Sequence, residues 1–173
     1  AEVTNNLTIN LAQKILTSGD GTFTFLNDFE ALSLGVGNDF VIGWGGAYQQ
    51  LTLGEGNDVY VDYSNPTAPS GAMNDTVSGG DGNDALYGLA GNDSLNGGAG
   101  IDVIIGGDGA DTLIGGAGGD WMGGGAGADV FRYLAASDSN AAQGFDAVAQ
   151  FETGLDRIDL AAEGAQHPRH HPL

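Results

Sequence analysis

Six aspartates recur every nine residues in the middle of this 173-residue chain: Asp84, Asp93, Asp102, Asp111, Asp120 and Asp129. Each follows one invariant glycine by two residues (Gly82 to Gly127) and another by five (Gly79 to Gly124). Carboxylates at a fixed period, set among exposed main-chain carbonyls, are donors for a hard cation. Calcium takes six to eight such oxygens in flexible geometry, whereas magnesium demands near-octahedral geometry and keeps its waters. Zinc would want His or Cys. The chain has no Cys, and its three histidines, His167, His170 and His171, all lie in the tail. The repeats therefore point to calcium.

The elements that must position these carboxylates follow from the same period. The units GGDGNDALY, GLAGNDSLN, GGAGIDVII, GGDGADTLI, GGAGGDWMG and GGAGADVFR run from 79 to 132 without insertion. Their eighth position is always large and apolar: Leu86, Leu95, Ile104, Leu113, Met122 and Phe131. Glycines allow positive φ and close approach of backbone to an ion. The three residues from position seven read as a short strand, with position eight inward and its neighbours outward. Two units make one coil of a flattened solenoid, so residues 18 apart stack about 4.8 Å from one another. Asp84, Asp102 and Asp120 are expected on one edge, and Asp75, Asp93, Asp111 and Asp129 on the other. Carboxylates stacked that closely repel unless cations lie between them, so folding and metal binding should be coupled. The expected fold is all-β, a right-handed parallel β-roll.

The nonapeptide G-G-x-G-x-D-x-U-x resembles the repeats-in-toxin calcium-binding β-roll family. The resemblance implies that one calcium takes the carbonyls of positions two and four and the aspartate of one repeat. It also takes the carbonyls of positions one and three and the aspartate of the repeat two later. In this sequence the first such site is Gly80, Gly82 and Asp84 with Gly97, Ala99 and Asp102. On the opposite edge follows Leu89, Gly91 and Asp93 with Gly106, Asp108 and Asp111. The third is Gly98, Gly100 and Asp102 with Gly115, Ala117 and Asp120, and the fourth Gly107, Gly109 and Asp111 with Gly124, Ala126 and Asp129. Leu89 stands where glycine is usual, which strains that turn without removing its carbonyl.

Upstream, the repeat decays. Ser70 to Ser78 reads SGAMNDTVS and would offer Gly71, Met73 and Asp75 to a site with Gly88, Ala90 and Asp93. LGVGNDFVI (34–42) and LGEGNDVYV (53–61) carry Asp39 and Asp58. Spacings of 19, 17 and 18 place Asp39, Asp58, Asp75 and Asp93 on one edge, with 43–52 and 62–69 as irregular half-turns opposite. Pro66 and Pro69 mark a loop there. Residues 1–33 hold strand-like alternation at Leu7–Leu11 and Phe23–Leu26 and are expected to cap or extend the roll. The organisation is then 1–33 cap, 34–78 degenerate repeats, 79–132 regular roll, 133–160 C-terminal cap and 161–173 disordered tail. Residues 129–160 resemble the segment that closes the roll in the serralysin-type C-terminal domain and in alginate epimerase R-modules. There Phe131, Tyr133, Phe145 and Phe151 are expected to cover the open end, because repeat arrays need caps, and Arg157 to pair with Asp156 or Asp159. The family usually continues with more strands and an export signal. The ending AAEGAQHPRHHPL departs from that, and its histidines read as a solvated tail before a transition-metal site.

Four Lys+Arg against 23 Asp+Glu give a formal charge of −19, which excludes a basic nucleic-acid surface and docking on anionic membranes. No run of 18 apolar residues occurs, so no membrane insertion is expected. The start Ala1-Glu2-Val3 lacks Met and any leader-like pattern, as in a fragment or processed chain. No H-E-x-x-H is present, and no histidine precedes 167 to complete a serine triad. The expected function is thus non-catalytic. The resemblance implies a calcium-binding module, with about four to six ions, that folds outside the cell and assists type I secretion of a larger bacterial protein. Its further partners would be the catalytic domain of the parent chain or an extracellular polysaccharide. The rival readings are a polysaccharide-binding accessory, with Trp44, Tyr48, Tyr60 and Tyr63 as its platform, and a spacer of an adhesin or surface-layer protein.

Overall fold

A computed structural model describes residues 8–10, 15–18, 21–24, 31–43, 50–61, 74–135, 138–139 and 144–160. These residues form sixteen strands: β1 (Thr8–Asn10), β2 (Ile15–Ser18), β3 (Gly21–Thr24), β4 (Ala31–Ser33), β5 (Phe40–Ile42), β6 (Gln50–Glu55), β7 (Val59–Val61), β8 (Thr76–Asp81), β9 (Ala85–Ala90), β10 (Ser94–Ala99), β11 (Val103–Asp108), β12 (Thr112–Ala117), β13 (Trp121–Ala126), β14 (Val130–Tyr133), β15 (Ala147–Ala149) and β16 (Arg157–Leu160). From β4 onward successive strands alternate between two sheets. Sheet A has nine strands in the order β15-β13-β11-β9-β7-β5-β1-β2-β3, and sheet B has seven in the order β16-β14-β12-β10-β8-β6-β4. Pairing within the coils is parallel, with partners 18 residues apart in the regular part, as in Leu95 with Leu113 and Ile104 with Met122. The chain is a parallel β-roll.

The core is a single column of side chains between the sheets. Position eight is buried in each half-coil from β5 to β14: Val41, Leu51, Tyr60, Val77, Leu86, Leu95, Ile104, Leu113, Met122 and Phe131, with Leu53 beside them. The glycine two residues after position eight is also turned inward, so each strand shows the sequence partly exposed, buried, partly exposed, buried. Strands in the regular array are six residues long rather than the expected three. The ladder does not stop at position nine. It continues through the next unit's first three residues, because glycines there let neighbouring backbones approach closely enough to stay paired.

Two expectations about the ends change. Spacing near 18 suggested that Asp39 and Asp58 share an edge with Asp75 and Asp93. Instead β5, β7 and β9 pair with one another in sheet A, so Asp39 and Asp58 stack with Asp84. The extra residues fall between β7 and β8, and the unit holding Asp75 is itself the opposite half-coil. Within 43–52, β6 does lie on the opposite sheet, whereas 62–73 lies outside the described residues, as do Pro66, Pro69 and 161–173. At the N-terminus β1 pairs parallel with β5, and β1, β2 and β3 pair antiparallel, extending sheet A. At the other end β15 and β16 each add a strand. Phe131 is buried, its ring 5.9 Å from that of Phe151, and Tyr133 packs against the core. Phe145 is 72% exposed and does not join that cover.

Replacing Leu113 by Ala removes one whole layer of this one-residue-wide column and should cost roughly 2–5 kcal/mol. Ile114→Ala, on the outer face of the same strand, should cost less than about 1.5 kcal/mol. Urea unfolding of the two variants in calcium measures the difference, and equal losses would contradict the inward register.

Candidate metal centre

Each regular turn is built from backbone first. Glycines at positions two and four have positive φ, for example Gly98 at 114° and Gly100 at 140°. A Cβ on Gly98 would lie 2.1 Å from the Gly80 carbonyl oxygen, and one on Gly100 would lie 1.8 Å from that of Gly82. These turns therefore stack carbonyl against glycine, with no room for a side chain. Leu89 is the departure at position two. It is held at φ 67°, a left-handed conformation that costs a branched side chain strain.

The aspartates form two hydrogen-bonded ladders. On the first edge the main-chain N–H of Asp39 donates to Oδ1 of Asp58, Asp58 to Asp84, Asp84 to Asp102 and Asp102 to Asp120, at 2.7–3.0 Å. Asp120 donates to Asp146. On the second edge Asp75 donates to Asp93, Asp93 to Asp111, Asp111 to Asp129 and Asp129 to Asp156. Every Oδ1 on a rung is thus satisfied by the coil before it. Oδ2 is different. In Asp58, Asp84, Asp102, Asp111, Asp120 and Asp129 it is buried and accepts no hydrogen bond, although the residues themselves are at most 3% exposed.

A carboxylate oxygen buried without a partner is costly. The cost shows in the proton equilibria. Burial is the largest cause, and it raises Asp102 to about 7 and Asp58 and Asp111 to about 6, despite the lowering effect of the N–H donors. Asp84, Asp120 and Asp129 are raised for the same reason. Either a proton or a cation must complete these groups.

The surroundings of Oδ2 supply further oxygens. A Cβ on Gly79 would lie 2.1 Å from Asp84 Oδ2 and 2.5 Å from the Gly97 carbonyl oxygen, so the two oxygens converge on one point. The same holds for Asp93 and Gly106 around Gly88, Asp102 and Gly115 around Gly97, and Asp111 and Gly124 around Gly106. The first-position glycine is thus required by the carboxylate, not only by the turn. The position-three carbonyls of Ala99, Asp108, Ala117 and Ala126 each accept one N–H, from Gly82, Gly91, Gly100 and Gly109, and keep a second lone pair. The carbonyls of Gly80, Gly82, Gly91 and Leu89 stack directly beneath Gly98, Gly100, Gly109 and Gly107. Among the described residues no three His, Cys, Asp or Glu side chains group as a metal site. A cation here has to draw most of its ligands from carbonyls, an all-oxygen set that suits calcium.

The degenerate end behaves differently. Gly71 and Met73 lie outside the described residues. Asp75 does not leave Oδ2 facing a cavity: the buried Tyr60 hydroxyl donates to it at 2.6 Å. A tyrosine proton stands there where Asp84 Oδ2 accepts no hydrogen bond. At the other end of the first edge, burial and then Asp146 raise the Tyr133 hydroxyl to about 12. Arg157 is not the partner of its neighbours. Arg132 pairs with Asp159 at 3.0 Å, and Asp156 accepts from Asp129 and Glu152.

Several positioning residues escaped the sequence reading. Asp146 and Asp156 extend the ladders at separations of 26 and 27. Their signal was the D-x-apolar triplet in Asp146-Ala147-Val148 and Asp156-Arg157-Ile158, which survives without the glycine turn. Position five also matters. Oδ1 of Asn38, Asn57 and Asn83 accepts the N–H of Asn57, Asn83 and Ile101, and Asn74 and Asn92 do the same for Asn92 and Ala110. The recurring Asn-Asp pair was the clue.

These carboxyls sit above their unfolded value of 3.8. In chelator, the contribution of Asp58, Asp102 and Asp111 to the fold is complete below about pH 4 and is lost as pH rises through about 6–7. Acidifying the chelated protein from pH 7 to pH 5 should therefore increase β signal in circular dichroism. Asp102→Asn, neutral at all pH, should stabilise the chelated protein at pH 7 and weaken it in calcium. The same sign in both conditions would contradict a buried carboxylate completed by a cation.

A family model described as Peptidase M10 serralysin C terminal matches residues 79–168. No curated protein matches the chain. The matched span contains the whole regular array together with β15 and β16 and the two final ladder aspartates, Asp146 and Asp156, that immediately precede them. By that match over more than half of its length, the chain belongs to the serralysin C-terminal family of M10 peptidases.

Proposed function

We propose that this chain is a calcium-switched folding module that stabilises a larger extracellular bacterial protein and assists its secretion. Domains of this family are non-catalytic, of the calcium-binding repeats-in-toxin type, and belong to secreted proteins. The observation that carries the reading is the set of buried, unpartnered Asp Oδ2 atoms facing carbonyls on both edges. A ligand bound only by the folded state stabilises that state. Without calcium the chain keeps its charge of −19 and a self-repelling ladder. Low cytosolic calcium would leave it unfolded and suited to a narrow exporter. Millimolar calcium outside would fold it, and about four to six ions would offset about 8 to 12 of those charges.

The proposed sites are the four pairs centred on Asp84/Asp102, Asp93/Asp111, Asp102/Asp120 and Asp111/Asp129. A fifth joins Gly54, Gly56 and Asp58 to Gly79, Asp81 and Asp84, where the carbonyls of Gly54 and Gly56 stack beneath Gly80 and Gly82 as in the regular coils. The Asp75/Asp93 pair is proposed as metal-free, closed by Tyr60. The regular roll 79–132 is then bracketed by a degenerate 34–78 and a closing 133–160. The polysaccharide platform gains no support: Tyr60 is buried in the core, and Trp44, Tyr48 and Tyr63 lie outside the described residues. Nothing in the structure favours the spacer reading.

Each independent site adds about 1.4 kcal/mol of stability per tenfold rise in calcium above its dissociation constant. Five sites should give a slope of about 7 kcal/mol per decade in urea unfolding, and magnesium should give almost none. A flat calcium dependence, or an equal magnesium slope, would overturn the reading.

A further inference from the structure

The two outer faces of the roll differ in kind. On sheet A the first outward column is Phe40, Val59, Ala85, Val103, Trp121 and Ala147, aligned strand by strand. The second column passes through Ile42, Tyr87 and Ile105 and ends where Gln150 lies over Gly123. No charged side chain falls on either column. The matching column of sheet B runs through Gln50, Thr76, Ser94, Thr112, Val130 and Arg157, mostly polar and ending on a charge. In a chain of charge −19, an uncharged apolar sheet face six strands wide calls for a physical account. Trp121 and Phe40 are 42% and 38% exposed, and among the described residues nothing packs across them.

We propose that the outer face of sheet A is a self-association surface on which a second copy of this chain docks face to face. Flat parallel sheets stack about 10 Å apart through interdigitated apolar side chains, and such a face is complementary to itself about a two-fold axis. Charge narrows the choice of surface. Two strongly acidic copies can meet only where few carboxylates face each other, and the two columns carry none, with Asp108 at the end of β11 beside them. The scarcity of hydrogen-bonding side chains disfavours a glycan. The face is about 10 Å by 29 Å in plan, so two copies would cover on the order of 600 Å² in total, below the roughly 1,000 Å² of a stable specific interface and in the range of a transient one. The dimer is therefore weak and reversible. It rests on the calcium-coupled folding proposed above, since the columns exist only when the strands do.

Sedimentation equilibrium of the chain at about 1–500 μM, in calcium and in chelator, tests this, with circular dichroism on the same samples. In calcium the mass should rise with concentration from 17.5 kDa toward twice that value, and in chelator it should stay monomeric. Val103→Lys and Trp121→Ser should remain monomeric in calcium while gaining the same β signal as the parent. Ser94→Lys, at the equivalent position on sheet B, should dimerise normally. A calcium-folded chain that stays monomeric throughout would overturn the proposal, as would a dimer that survives both sheet A substitutions. Fluorescence of Trp121 that responds to oligosaccharide in such a monomer would give the face to a glycan instead. Absence of any calcium-induced β signal would instead overturn the folding reading, and this proposal with it.

Discussion

The structure turns on a half-satisfied carboxylate. In the turns of Asp84, Asp102, Asp111, Asp120 and Asp129 the aspartate Oδ1 accepts an N–H from the coil before, while Oδ2 is buried without a donor. The first bond fixes the stacking register of the coils. The second oxygen makes that stacking unfavourable in neutral water without a cation. The glycines follow from it. Position one is glycine because a Cβ there would collide with Oδ2, and positions two and four because the preceding coil's carbonyls press against them, with Leu89 the strained exception at position two. One large apolar residue every nine gives the roll a narrow core, and the turns have to supply what a deeper core supplies in other folds.

The ends show the same constraint answered by other means. Where the repeat decays, a neutral donor meets the carboxylate: the Tyr60 hydroxyl donates to Asp75 Oδ2. Where the nonapeptide stops, Asp146 and Asp156 keep the ladders satisfied while the intervening loops leave the repeat. Asparagines at position five add a parallel ladder in the earlier coils, confined to turns that read Asn-Asp. The later coils have Ile101, Ala110, Gly119 and Ala128 in that place, so their turns depend more heavily on the aspartate ladder.

Much of this was legible because the period is strict. Leu86 through Phe131 were placed inward from spacing alone, and all six are fully buried. The two edges of the regular array followed from the same count. Legibility failed where the count did. Asp58 is 26 residues from the aspartate it meets, and its distance of 17 from Asp75 imitated a coil. Period alone cannot say which half-coil has lengthened. Strand length was underestimated because the glycines were assigned to the turns, although in a stacked coil their missing side chain permits pairing. The outer positions carried a pattern as well, apolar on alternate units, but inward positions drew the attention that chemistry gives to a core.

Far-ultraviolet circular dichroism of the chain at neutral pH, titrated with calcium from a chelated start, addresses the central claim most directly. Completion of the buried Oδ2 atoms by the ion predicts little β signal in chelator and a cooperative gain with calcium, without a matching gain from magnesium. A full β spectrum already present in chelator would contradict the claim that the cation holds the turns together.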